Sequence, residues 1–121
     1  MPNAITAERF AQGMTFDEYV AFIGSPENLR RGANSGPRQD LSAFFREAFE
    51  KTRLTDDQEA ALKWLVAQPN GPARMLAISE EWSSDCQRDV PVFARIAAAT
   101  GMELRIFTRD GQQYDGSNEE A

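Results

Sequence analysis

Histidine is absent from this 121-residue chain, and cysteine occurs once, at Cys86. Without an imidazole, no Ser-His or Cys-His nucleophile pair can be assembled, so hydrolases of the common kinds drop out. A zinc site would have to be built from carboxylates around one thiol, far from the usual ligand sets, so no metal and no cofactor is expected. One cysteine forbids a disulfide within the chain, which suits a reducing compartment. No apolar run approaches membrane-spanning length, and the start lacks the basic and apolar regions of a secretory signal. The expectation is a cytoplasmic protein with no membrane contact. Positive charge is also scarce: 13 Lys and Arg stand against 19 Asp and Glu, for a net charge of −6. Phosphate backbones bind clustered cations, and although Arg30, Arg31 and Arg38 gather around one loop, acidic segments flank them, so nucleic acid is not an expected partner.

What is present fits one globular domain: 41% of residues are hydrophobic and 26% charged, and a chain of this length buries roughly two-thirds of its unfolded surface. Ala7, Phe10, Ala11 and Met14 recur at helical spacing, interrupted by Gly13. Thr15 with Glu18 forms a capping-box pattern, and Phe16, Tyr19, Val20 and Ile23 trace one helical face that ends at Gly24. Residues 31–38, with two Gly and a Pro, read as a connector; a phosphate cradle would need a preceding strand and a Gly-Lys-Ser/Thr ending. Leu41, Phe44, Phe45, Ala48 and Phe49 make the strongest helical stripe in the chain. Thr55 with Gln58 opens a further helix, with Leu62, Leu65 and Val66 inward and Trp64 flanking. The short link between these two helices predicts an antiparallel hairpin.

Met75 to Ile78 is a short continuous apolar run, as expected of a strand covered on both faces. A helix up to Gly101 and a second strand over 103–108 complete a right-handed βαβ unit with parallel strands. The residues after Gly111 are polar and are expected to form a disordered tail over 111–121. The division expected is a helical extension over 1–70, the βαβ unit over 71–110, and the tail.

Such units place their chemistry in the turn after the first strand. Here that turn is Trp82-Ser-Ser-Asp-Cys86. Ser83 suits an N-cap. Cys86 has two readings. It is either an accessible monothiol at a helix start or a small buried hydrophobe, and the balance favours the second because Glu80, Glu81, Asp85 and Asp89 oppose a thiolate that only Arg88 favours. Trp82 either lids the core or offers a binding platform. Pro91 either kinks a helix that begins near Ser84, the adopted reading, or lies in the first turn of a helix capped by Asp89, with Cys86 outside it.

This segment resembles the active-site region of the thioredoxin superfamily, where a strand ends in Trp-Cys-Gly-Pro-Cys and runs into a helix. Trp82 matches the tryptophan, Cys86 the second, resolving cysteine, and Pro91 the helix proline. Ser83 stands at the nucleophile's position, and Ser84 and Asp85 fill the two places between. Ser-Glu-Glu-Trp together with Asp85 is similar to a bacterial branch with a Trp-Cys-x-Asp motif and a helical N-terminal extension. The resemblance covers residues 74–110, roughly the first half of a thioredoxin domain; the cis-proline loop, closing hairpin and last helix have no counterpart. It implies an α/β fold, a truncated thioredoxin-like βαβ unit with an α-helical N-terminal extension. The implied function is a redox-degenerate family member that binds a partner or is an inactive remnant. The alternatives are a monothiol redox protein using Cys86 and a small helical protein-interaction domain. An exposed edge on the first strand is the expected contact, with another protein or with the chain itself.

Overall fold

The computed structural model describes residues 5–30 and 39–109 and has the expected α/β architecture, helices followed by a βαβ unit. α1 (Ala7–Ala11) starts at Thr6, whose hydroxyl accepts the Arg9 N–H at 3.0 Å. α2 (Phe16–Ile23) carries the anticipated capping box: Thr15 Oγ1 accepts the Glu18 N–H at 3.2 Å and Glu18 Oε1 accepts the Thr15 N–H at 2.9 Å. Its apolar face is buried through Tyr19, Val20 and Ile23. α3 (Pro26–Leu29) opens with proline in the first turn, where no N–H is missed. The expected connector over 31–38 and the expected tail over 111–121 lie outside the described residues.

α4 (Ser42–Lys51) presents Phe45 to the core, with Leu41 and Phe49 packed beside it, while Phe44 is exposed. α5 (Asp56–Val66) has its capping box at Thr55 and Gln58 but buries none of its residues. Here the structure departs from expectation. α4 and α5 both pack on α6 (Ser84–Thr100), and they touch one another little. Leu65 is exposed rather than inward, as is Trp64. A helix of 17 residues is long enough to take both neighbours along one side, and α5 sits shallowly on it.

β1 (Arg74–Ile78) and β2 (Glu103–Phe107) pair in parallel, with Met75 beside Leu104 and Ala77 beside Ile106. These four side chains face the core formed with Met14, Tyr19, Val20, Ile23, Phe45, Val90 and Ala94. The expectation that β1 is covered on both faces fails: Leu76 is 38% and Ile78 60% exposed. The reason is that α1 covers only part of the outer face of the sheet, leaving the carboxyl half of β1 open. Phe10 of α1 is buried beneath the Arg74 and Arg105 guanidiniums. Beyond it, Met14 and Ile106 exchange backbone hydrogen bonds of 2.8 and 2.7 Å in an antiparallel bridge. Gly13 permits that approach, since a Cβ there would lie 2.6 Å from the Phe107 ring. β2 is therefore flanked on both sides, and β1 has a free edge among the described residues.

α6 begins at Ser84, as the adopted reading holds, so Cys86 is in its first turn and Asp89 is not the cap. Pro91 is buried within the helix, where the Gln87 carbonyl takes no bond from residue 91. Gly101 ends it in the left-handed conformation, φ 80°.

Candidate functional site

At the carboxyl end of the two strands the chain leaves β1 through Ser79, Glu80, Glu81 and Trp82 and enters α6. Ser79 continues the ladder, its N–H donating to the Phe107 carbonyl at 2.8 Å. Beneath it, Ser79 Oγ and the Tyr19 hydroxyl share a buried hydrogen bond of 2.6 Å. Glu80 is tied through both backbone and side chain: its carbonyl accepts the Ser83 N–H at 3.0 Å and its Oε2 accepts the Arg109 N–H at 2.9 Å. Glu81, only 2% exposed, accepts Asn28 Nδ2 at 3.0 Å through Oε2 and Gln87 Nε2 at 2.9 Å through its carbonyl. Asn28, itself buried, also donates to the Ile23 carbonyl at 2.9 Å. Polar side chains from α2, α3 and the turn thus make one buried floor under the start of α6. Carboxylates so deeply placed are held by donors because an unpaired buried charge is far too costly.

Burial pushes the Tyr19 phenol above its ordinary value of 10.0. The Ser79 hydrogen bond works against the shift, and the neighbouring Glu81, Cys86 and Glu80 add to it. The folded state therefore keeps the Tyr19 proton where the unfolded chain releases it. Stability from this group is complete below pH 10.0 and is lost as pH rises through the folded value. Denaturant melts followed by circular dichroism are expected to show stability falling progressively above pH 10.0, and Tyr19→Phe is expected to flatten that fall.

The residues anticipated from the sequence lie on top of this floor. Trp82 is 54% exposed, with the Arg109 guanidinium 5.9 Å from its ring centroid. Ser83 occupies the N-cap position of α6, but its hydroxyl makes no cap hydrogen bond, contrary to the role expected of it. Ser84 and Asp85 are exposed, and Asp85 lies 3.4 Å from Arg88. Cys86 is half-buried against the core. Arg88, the cation expected to favour a thiolate, is bonded to Asp89 at 2.8 Å, which raises its pKa and lowers that of Asp89. Pro91 lies deeper, on the core side of the helix. Trp82 to Cys86 are brought together; Pro91 shapes the helix rather than the surface.

The polar floor was not anticipated. Its signals were weak: two consecutive glutamates directly after a strand, and a tyrosine on the apolar face of α2. Among the described residues no group of three metal-binding side chains occurs, and no helix there is long and apolar enough to cross a membrane.

A protein-family model described as Thioredoxin matches residues 38–115, a span that includes α4, α5 and the whole βαβ unit. No curated protein and no solved structure matches the chain.

Proposed function

The chain belongs to the thioredoxin family, and on that premise we propose that it is a redox-degenerate member, a binding module with no dithiol–disulfide exchange of its own. The supporting observation is Ser83, which stands at the N-cap of α6 with Cys86 as the one sulfur of the site. Exchange needs a thiolate to attack and a second thiol to resolve the mixed disulfide. A serine hydroxyl is far less acidic than a thiol, and the chain has no histidine to take its proton. What the site retains is a turn anchored from below and an exposed indole above, a surface suited to contact. α1 to α5, the described helices of residues 1–70, are proposed as an extension that buttresses the βαβ unit, and a cytoplasmic location accords with the single free thiol.

One observation favours a second reading. Cys86 lies in the first turn of α6, where helix N–H groups stabilise a thiolate, and it is half-buried rather than enclosed. Alkylation at neutral pH separates the two. Labelling of native Cys86 is expected to run on the order of tenfold or more slower than in the denatured chain, as for a packed thiol. Equal rates would instead support a monothiol. Insulin disulfide reduction by the wild type is expected to match the reductant alone.

A further inference from the structure

We infer that residues 55–71, α5 with the turn that follows it, form a lid that opens as one unit over the cavity between α4 and α6 while the rest of the domain stays folded. This goes beyond the family reading and is indifferent to the chemistry of Cys86. The first support is where the stretch makes its bonds. At its start the capping box joins Thr55 and Gln58. Along its outer side Lys63 pairs with Glu59 at 2.8 Å. At its end Gln68 Nε2 donates to the Trp64 carbonyl at 2.9 Å, and the Gly71 N–H donates to the Gln68 carbonyl at 2.9 Å. Gly71 folds back so closely that a Cβ there would lie 2.3 Å from the Leu65 carbonyl oxygen, so the turn belongs to the same unit. Among the described residues, every hydrogen bond and ion pair of this stretch falls within it. The other described helices are each tied outward: α1 through the Ala11 carbonyl to Arg105, α2 through Tyr19, α3 through Asn28, and α4 to α6 through Arg95 and the Phe49 carbonyl.

The second support is the seat. α5 packs on α6 and buries none of its residues. Half-buried Leu62 and Val66, one turn apart, are its apolar contact. Every other described helix is pinned by at least one buried side chain. Opening therefore costs only a partial apolar burial and bonds internal to the stretch, and a segment with so few buried contacts opens below the global unfolding free energy. Beneath it lies a cavity of about 570 Å³, to which α5 contributes Glu59 and the link before it Leu54, while Phe49 of α4 and Arg95 of α6 form the far wall. Opening removes one wall and uncovers the Arg95 guanidinium stacked on the Phe49 ring at 3.9 Å. The turn from Trp82 to Cys86 is left undisturbed.

Hydrogen exchange followed amide by amide on the full chain tests this. In the wild type, the amides of residues 59–67, which close the turns of α5, are expected to share one protection factor and to exchange at least about a hundredfold faster than the buried amides of α2 and α6. Urea below the unfolding midpoint is expected to accelerate α2 and α6 while scarcely changing α5, because a local opening exposes little surface. Phe45→Ala, which weakens the core and not the seat of α5, is expected to speed α2 and α6 at least about a hundredfold and α5 less than about threefold. Amides of α5 as slow as those of α6, or moving with them in urea or in the variant, overturn the lid, because the helix then opens only with the whole domain. Protection that rises steadily from the ends of α5 inward overturns it too, since that is fraying and not the opening of a unit.

Discussion

Phe45→Ala is expected to remove about 3–5 kcal/mol of unfolding free energy, the usual cost of deleting a fully buried phenylalanine. Phe45 is 0% exposed and meets the Tyr19 ring edge-on, with centroids 5.7 Å apart and planes at 84°. It is where α4 locks onto α2, and through Tyr19 it supports the hydrogen bond to Ser79 beneath the candidate site. Domains of this size hold only about 5–15 kcal/mol in total, so the variant forfeits a large share of the stability. Each kcal/mol lost corresponds to a few degrees in Tm, about 4 °C, for a domain of this length. Phe44 is its neighbour in sequence but exposed, and Phe44→Ala is expected to cost less than about 1 kcal/mol. Urea denaturation of the two variants side by side is the measurement. Equal losses would mean that α4 does not present Phe45 to the core.

The second large effect is a gain. Ser83→Cys is expected to create a dithiol with Cys86 and to reduce insulin disulfides well above the wild-type level. Ser83 surrenders no cap hydrogen bond in the exchange. Positions 83 and 86 stand three residues apart at a helix start, a spacing that brings side chains to about 5–6 Å between Cβ atoms. A disulfide needs about 3.5–4.5 Å, so closing it takes a small movement of the turn at position 83, and the helix N-terminus favours the thiolate that begins the reaction. Turnover of insulin with a dithiol reductant, compared with the reductant alone, reads the outcome directly. Silence from a variant that folds and forms the 83–86 disulfide would mean that the surrounding turn, with Glu80, Glu81 and Asp85 close by, does not supply the electrostatics that exchange needs.

How much of this was legible in the sequence depends on how local the cause was. α2 could be read from Thr15, Glu18 and the spacing of Tyr19, Val20 and Ile23, since a capping box and a 3.6-residue period are local facts. The βαβ unit and the turn from Trp82 to Cys86 were legible for the same reason. The run Met75 to Ile78 announced a strand, yet a short apolar run cannot say which face will be covered, and only the Phe10 and Met14 contacts decide that. Leu65 followed the helical period and still ended exposed, because periodicity gives direction around a helix and not depth of seating. The polar floor was least visible. Ser79 takes its partner from Tyr19, 60 positions away, and Glu81 takes one from Asn28, 53 positions away. A pair of glutamates in a turn otherwise looks like solvated surface.

The bridge at Met14 has a consequence for the order in which the molecule can assemble. Gly13 is separated by 92 positions from Arg105, whose guanidinium holds its carbonyl at 3.1 Å, so the first helices are synthesised long before the strand that completes their seat. On the ribosome α1 and α2 have no finished sheet to dock against until β2 has emerged, and closure of so long a loop makes for slow folding. Until then the apolar face of α2 lacks its cover from the sheet, and β2, made after β1, is the strand that completes it.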